Sequence, residues 1–306
     1  MYHYNAIPDI EDGKSVPVIK TKNKKIDAYM SRFGGFVRGT STFLTGTSGA
    51  GKTTFSVLLQ SLCRDVKTAL WSREMLSQAV ARQCSKYDLD HKNAFIADSN
   101  SCPTFDLFME TLETTKPDLI IVDSLQVIAK DFSATMGEDA AIKHIVDVLR
   151  KFNERNNSVL IFIGQMTKSG IFKGPQDVLQ LADAHLKMTF YPKRNERTLS
   201  WGGKNRNVVD PTEIMFYTIG DGEMKFYSPI EWEIERRKLT YIHHMMEASF
   251  GYLKALSDRD GYDKVSKELR KVEKQLSKLD LSDEEFFFRM TKEINEAITK
   301  AWPAEK

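Results

Sequence analysis

The sequence predicts an α/β protein with a mostly parallel, twisted sheet flanked by helices, followed by a helical C-terminal appendage. Three observations predict this class. Between residues 26 and 227, short apolar runs alternate with amphipathic helical segments, which is typical of a mostly parallel sheet. The first apolar run of this region leads into a glycine-rich loop and then a helix. After Pro229, glycine becomes scarce and apolar residues recur with a helical period.

The composition indicates a globular protein. The chain has 306 residues, of which 41% are hydrophobic and 28% charged, a mixture typical of folded domains. This length suffices for one large α/β domain and a smaller appendage. No stretch approaches the roughly 20 apolar residues that a membrane span needs, and residues 1–10 lack the apolar segment of a signal peptide. We therefore expect no membrane association and a cytoplasmic location.

Cysteine usage and net charge exclude some classes of site. Cys63, Cys84 and Cys102 are odd in number and widely spaced, with no CxxC pair, so the sequence predicts neither a zinc site nor a disulfide framework. The formal net charge is +2. Because this value is nearly neutral, any surface that binds nucleic acid must be a local patch.

Residues 1–25 are expected to form a flexible basic arm. They contain Pro8 and Pro17 and few large apolar residues, which argues against a packed element. The basic side chains of this arm are Lys20, Lys22, Lys24 and Lys25.

Residues 26–227 are predicted to form the sheet domain. Its strand candidates are short runs rich in apolar and β-branched residues. They are Thr42–Thr45, Thr68–Ser72, Leu119–Val122, Ser158–Ile163, His185–Phe190, Thr198–Trp201, Ile214–Thr218 and Met224–Tyr227. The last two runs flank Gly220-Asp221-Gly222, which is a hairpin signal.

Residues 228–306 are predicted to form the helical appendage. Its apolar residues follow a heptad-like spacing at Val265, Leu269, Val272, Leu276 and Leu279. A capping box beginning at Ser282 opens a last helix. Two interpretations remain open, namely a helical hairpin packed on its own domain and a docking surface for a protein partner. We favour the hairpin because about two heptads rarely form an independent coiled coil.

The glycine-rich loop predicts a nucleotide site. Every fixed position of the pattern GxxxxGK[ST] is matched by Gly46-Thr47-Ser48-Gly49-Ala50-Gly51-Lys52-Thr53, and Thr54 follows it. Glycines allow the backbone to curl around phosphates, and the following helix adds its positive dipole end. The ammonium of Lys52 is expected to bridge the β- and γ-phosphates of ATP, and the hydroxyl of Thr53 to hold Mg²⁺.

A carboxylate at the end of another strand is expected to complete the metal site. Leu119–Val122 is an apolar run that ends in Asp123. Because a carboxylate at the carboxyl end of a parallel strand lies beside the phosphate loop, Asp123 is a candidate ligand of Mg²⁺ or of its water shell. A strand that simply ends in an Asp cap is the alternative interpretation.

The segment after the second strand carries a family resemblance. It reads Trp71-Ser72-Arg73-Glu74-Met75. This segment resembles the strand-end glutamate motif of the RecA superfamily, and Ser-x-Glu-Met is most similar to the DnaB-type replicative helicases. The resemblance implies a RecA-like fold and makes Glu74 the general base that activates the attacking water. The alternative is an exposed first-turn glutamate favoured by the helix dipole.

Two further segments resemble the recombination ATPase RadA. The first contains Gln165, Lys168 and Lys173, and its Thr-Lys, Gly and Gly-Pro elements occur in the same order as in RadA. The resemblance implies a γ-phosphate sensor at Gln165 and DNA contacts at both lysines. The second, Lys204-Asn205-Arg206, is similar to a basic motif of RadA and of DnaB-type helicases. In those families the basic pair reaches the ATP site of the neighbouring subunit, so Lys204 and Arg206 are implied to act across a subunit boundary.

The resemblance covers residues 26–227 and has departures. The zinc module and protease-like domain of RadA and the helical N-terminal domain of DnaB-type helicases are not visible in this sequence, and the glycine expected near Arg206 is replaced by Val208-Val209-Asp210.

The leading hypothesis is an oligomeric ATPase, a hexameric ring or a filament, that acts on single-stranded DNA in replication, recombination or repair. Ser133–Gly137 and Lys168–Gly174 would then be its DNA-facing loops. A regulatory ATPase resembling the KaiC group and a nucleotide-responsive scaffold, neither of which uses DNA, are the alternatives.

Overall fold

The computed structural model describes residues 16–86, 92–132, 135–167, 170–208, 210, 212–220 and 223–238, with a few positions between 267 and 296. The chain divides into two compact units, residues 1–228 and 229–306. In the second unit, residues 229–238 are helical. The predicted heptad-like spacing and the capping box at Ser282 lie outside the described residues, so a separate helical appendage stays a prediction.

The first unit contains strands and helices in alternation. Its strands are β1 (Val18–Ile19), β2 (Phe36–Val37), β3 (Ser41–Gly46), β4 (Thr68–Ser72), β5 (Ala94–Ala97), β6 (Leu119–Asp123), β7 (Val159–Gln165), β8 (Ala184–Tyr191), β9 (Glu196–Asn205), β10 (Ile214–Gly220) and β11 (Glu223–Tyr227). Its helices are α1 (Lys24–Met30), α2 (Lys52–Leu62), α3 (Ser77–Lys86), α4 (Phe105–Thr115), α5 (Leu125–Ala129), α6 (Glu138–Asn156) and α7 (Gln176–Leu181). No helix among the described residues is long and apolar enough to cross a membrane.

Nine strands form one sheet in the order β5-β4-β6-β7-β3-β8-β9-β10-β11. The six strands from β5 to β8 are parallel, and β9, β10 and β11 are antiparallel to their neighbours. The predicted α/β class with a mostly parallel sheet is therefore confirmed. The predicted hairpin is confirmed by the pairing of Gly220 with Glu223.

Strand register brings four strand ends together. Gly46 at the end of β3 pairs with Gln165 at the end of β7. Asp123 at the end of β6 pairs with Ile163 on β7 and with Ser72 on β4. Because parallel strands end at one edge of the sheet, residues distant in sequence meet there.

Apolar side chains on both faces of the sheet hold this edge in place. Leu44, Ile121 and Ile161 face one buried cluster, and Phe43 and Ile120 face another. Strands that are buried on both faces have continuous apolar runs in their sequence, which explains why the central strands could be predicted. Burying each such side chain stabilises the fold by roughly 1.5–3 kcal/mol.

The predicted flexible arm is wrong for its last ten residues. Val18–Ile19 pairs with Phe36–Val37, and helix α1 begins at Lys24, where the side chain of Asn23 accepts hydrogen bonds from the first-turn N–H groups. Residues 1–15 lie outside the described residues. Two-residue strands leave no alternation to detect, which is why sequence patterns miss them. The edge strand β5, which has four residues, was also missed, because so short a run gives a weak periodic signal.

Candidate nucleotide-binding site

The phosphate loop connects β3 to α2 in a conformation that requires glycine. A side chain at Gly46 would place its Cβ 2.3 Å from the carbonyl oxygen of Met188. Gly51 caps helix α2 with a φ of 95°, and a Cβ there would lie 2.3 Å from the side chain of Ile219. Since that φ strains any other residue, the glycines of the pattern are structural requirements of the loop.

Strands β8 and β10 support the loop from one side. The N–H of Thr47 donates to the carbonyl of Met188 at 3.1 Å, and the Thr47 hydroxyl accepts from the N–H of Phe190 at 3.0 Å. The hydroxyl of Tyr217, on β10, donates to the carbonyl of Ala50 at 2.6 Å. Burial raises the pKa of Tyr217, so this hydroxyl keeps its proton and remains a donor.

Lys52 lies at the start of α2 with its ammonium turned back over the loop. The ammonium donates to the carbonyls of Gly46 at 3.0 Å and Thr47 at 3.3 Å. Burial lowers the pKa of Lys52, while the charges of Asp123 and Glu74 oppose that effect. The ammonium is therefore held where the phosphates of a nucleotide would meet it.

Thr53 and Asp123 form a pair of oxygen groups that fits Mg²⁺. The hydroxyl of Thr53 donates to Oδ2 of Asp123 at 3.1 Å. Asp123 is only 1% exposed, and burial, with the charge of Glu74, raises its pKa to about 6. A divalent cation would offset the repulsion between the carboxylates of Asp123 and Glu74. Hydroxyl and carboxylate oxygens are suitable ligands for Mg²⁺, which draws its other ligands from phosphates and water.

Glu74 lies at the end of β4 and is held by residues from two neighbouring strand ends. Its Oε1 accepts hydrogen bonds from the hydroxyl of Ser124 at 2.5 Å and from Nε2 of Gln165 at 2.6 Å. Its Oε2 accepts none from any described side chain. The structure thus joins Glu74 and Gln165, which the sequence predicted separately, and leaves one carboxylate oxygen free to accept a proton.

Sequence reasoning missed Ser124 and Gln126. Gln126 is buried; its Oε1 accepts from the N–H of Gln165 at 3.0 Å, and its Nε2 donates to the carbonyl of Lys173 at 2.5 Å. The available signal was a polar residue at alternate positions directly after Asp123, in Ser124-Leu125-Gln126.

These groups line one cleft of about 490 Å³. Its lining residues are Gly46, Ser48, Gly49, Gly51, Lys52, Thr53, Thr54, Glu74, Asp123, Ser124, Ile163, Gln165, Met166 and Lys173. Thr47 and Ala50 belong to the loop but not to the lining, because Thr47 bonds to β8 and Ala50 is fully buried. The charged groups that the described part of the chain contributes to the lining are two cations, Lys52 and Lys173, and two acids, Glu74 and Asp123.

Comparison with known proteins agrees with this geometry. No family model matches the chain. It is 27% identical over 197 residues to the DNA repair protein RadA of Salmonella typhimurium and to that of Escherichia coli, covering 63% of this chain and 41% of each RadA. The KaiC-like protein of Pyrococcus horikoshii has a similar structure, with a TM-score of 0.58 at 17% identity, covering 69% of this chain and 99% of that one.

The RadA relatives and the KaiC-like neighbour support a P-loop ATPase of the RecA superfamily. The chain spans about two fifths of the length of the RadA proteins that it matches. The phosphate loop, Asp123 and Glu74 meet at one sheet edge, as the registers of β3, β4, β6 and β7 require.

Lys204 and Arg206 lie at the opposite edge of the sheet. Asn205, between them, pairs with Ala184 at the beginning of β8, whereas Gly46 pairs with Met188. Four residues along a strand separate the two levels by about 13 Å. Arg206 is 66% exposed at its side chain and lies 3.3 Å from Asp183, and the ammonium of Lys204 donates to the carbonyl of Gln180. The structure does not bring this pair into the cleft of its own chain.

The residues predicted to contact DNA divide into two groups. Lys168 lies outside the described residues, as do residues 133 and 134 of the other predicted loop. Lys173 is described and lines the nucleotide cleft. A DNA contact at either lysine stays a prediction.

Replacing Glu74 with glutamine is expected to slow ATP hydrolysis at least about a hundredfold, the usual scale for a lost general base. The amide oxygen can still accept from Ser124 and Gln165, which places the amide nitrogen at the position of the free Oε2. The attacking water then contacts an amide N–H donor at the position where Glu74 has a carboxylate oxygen that can take its proton. ATP affinity is expected to stay within about threefold, since the phosphate contacts are untouched.

The measurement is phosphate release at saturating ATP, together with ATP binding. Glu110→Gln, on the exposed face of α4, is the matched control and is expected to behave as wild type. If affinity collapses while turnover per bound ATP does not, Glu74 has a structural role only.

Proposed function

We propose that this protein is an ATP-hydrolysing oligomeric motor that acts on single-stranded DNA, as a RadA- or DnaB-like helicase or translocase, in the form of a hexameric ring or a filament. The observation that carries the proposal is the position of Lys204 and Arg206. A basic pair of a half-buried Lys204 and an exposed Arg206 that lies about 13 Å along the strands from its own phosphate loop has a use in ATP hydrolysis only if it serves another subunit.

The hydrolytic step follows from the contacts in the cleft. The loop N–H groups and Lys52 bind the phosphates. Thr53 and Asp123 would hold Mg²⁺, which would supply positive charge to the phosphoryl oxygens. Glu74 takes the proton of the attacking water on Oε2, because Oε1 is already engaged by Ser124 and Gln165. Gln165, fixed through its backbone by Gln126, keeps the carboxylate in that orientation.

The DNA part of the proposal rests on the RadA relatives, which are named as DNA repair proteins, and on the loop after β7. The loop projects from the carboxyl edge of the sheet, and Ile171 near its tip is 55% exposed. Lys168 belongs to the same loop. An exposed loop with a basic residue is suited to contact a DNA backbone in the interior of a ring or filament.

A KaiC-like regulatory ATPase or scaffold is the second candidate. It is favoured by the composition of the loops, because residues 133–137 contain neither lysine nor arginine and the only basic residue of residues 166–172 is Lys168. In that case the C-terminal region, residues 228–306, would bind a protein partner.

Stimulation by DNA separates the two candidates. If the protein is a DNA motor, single-stranded DNA is expected to raise ATP turnover several-fold, and the stimulation is expected to weaken as salt rises from about 50 to 200 mM, since phosphate contacts release counterions. The assay is steady-state phosphate release by the purified chain, with heparin as a polyanion control. Equal turnover with and without DNA would favour the regulatory candidate.

A further inference from the structure

We propose that Lys173 is a second phosphate-binding cation of the cleft, supplied by the same chain and directed at the γ-phosphate of ATP. The inference rests on the proposed ATPase function, which it deepens. Among the described residues, Lys52 and Lys173 are the two cations that line the cleft, and the ammonium of Lys173 makes no ion pair or hydrogen bond with any of these residues.

The backbone of Lys173 is fixed beside the reactive groups. Its N–H donates to the carbonyl of Gln165 at 2.9 Å, and its carbonyl accepts from Nε2 of the buried Gln126. Since Gln165 bonds to Glu74 at 2.6 Å, Lys173 lies next to the pair that handles the attacking water. The phosphate loop lines the other part of the same cleft, so Lys173 approaches from the side where the terminal phosphate must lie.

Packing on both sides keeps Lys173 at the base of its loop. Phe172 is buried and contacts Phe43 edge-on, with ring centroids 5.9 Å apart. Gly174 has a φ of 155°, and a Cβ there would lie 2.7 Å from the Phe172 ring. Moving Lys173 out with the loop tip would require Phe172 to leave the core. This position favours a nucleotide contact over the DNA contact implied by the sequence.

The charges of the cleft provide a reason for a second cation. Glu74 and Asp123 offset the two lysines, so the cleft without Lys173 would carry net negative charge toward the anionic end of ATP. A charged hydrogen bond to a phosphate adds affinity only for a nucleotide that has that phosphate. Lys173 is therefore expected to distinguish ATP from ADP.

The test uses the full chain, Mg²⁺ and no DNA. The affinities of ADP and of a β,γ-imido analogue of ATP are measured by displacement of a fluorescent nucleotide. In Lys173→Ala, affinity for the analogue is expected to fall about tenfold, the scale of one charged hydrogen bond, with ADP affinity nearly unchanged. Lys173→Arg is expected to keep most of the selectivity. Lys20→Ala removes the same charge outside the cleft and is expected to bind as wild type.

Other outcomes would overturn the inference. Unchanged selectivity in Lys173→Ala, or an equal loss for both nucleotides, would show that Lys173 does not contact the γ-phosphate. Unchanged selectivity together with weaker binding of single-stranded DNA would assign Lys173 to the DNA surface. If the wild-type chain itself fails to bind the analogue, the proposed function fails as well, which distinguishes the two failures.

Discussion

Replacing Lys52 with alanine is expected to reduce ATP turnover by about two to three decades. The ammonium is held over the phosphate loop by the carbonyls of Gly46 and Thr47, in a site of reduced water access. A preorganised charge in such a site stabilises the transferring phosphoryl group strongly, and loss of one comparable donor costs about a hundredfold to a thousandfold. Alanine leaves the helix intact because it is a strong helix former.

The measurement is phosphate release at saturating ATP, with circular dichroism to verify folding. Lys151→Ala removes an equal charge from the exposed face of α6, where Lys151 pairs with Asp147, and serves as the control. A folded Lys52→Ala protein with near wild-type turnover would remove the basis for the phosphate-loop assignment.

Replacing Arg206 with alanine is expected to have the largest effect, a loss of about three to five decades in turnover, if its guanidinium acts as a finger in a neighbouring site. The alternative is a surface residue that pairs only with Asp183. An exposed ion pair contributes about 0–1 kcal/mol to stability, so that alternative predicts nearly wild-type turnover. The two interpretations therefore differ by orders of magnitude.

Mixing two inactive variants tests the subunit boundary directly. Arg206→Ala subunits retain Glu74, and Glu74→Gln subunits retain Arg206. In a random one-to-one mixture, about a quarter of the junctions join an intact Glu74 to an intact Arg206, so turnover should reappear at roughly that fraction of wild type. Lys204→Ala mixed with Glu74→Gln is expected to recover in the same way. If tagged subunits exchange and no activity returns, Arg206 does not act in trans.

The sequence was most informative where a function imposes a local pattern. The phosphate loop, the run ending in Asp123 and the strand-end Glu74 could be identified because each pattern lies within a few consecutive residues. Gln126 could not be assigned, because its partners lie on β7 and the following loop, and that adjacency depends on the order of the strands. Tyr217 was missed since its contact with Ala50 spans 167 positions.

Lys173 shows a different limit. Its position in the sequence, between a Thr-Lys segment and Gly-Pro, placed it on a loop, and the RadA resemblance implied a DNA contact there. Whether that loop directs the side chain outward or into the cleft depends on the burial of Phe172 under Phe43. Side-chain packing of this kind leaves no periodic signal, because Phe172 is a single apolar residue between polar and glycine positions.

The buried carboxyl group of Asp123 links folding to ligand binding. Its pKa rises from 3.8 to about 6 in the folded chain, so the folded state binds this proton more tightly than the unfolded state does. The stabilisation that this difference provides is complete below about pH 4 and is lost as pH rises through 6. At neutral pH the ionised carboxylate of Asp123 therefore lowers the stability of the folded state. A cation bound between Asp123 and Thr53 would restore part of that stability. By thermodynamic linkage, the residues that prepare the cleft for a metal–nucleotide complex make the ligand-free protein less stable than the complex.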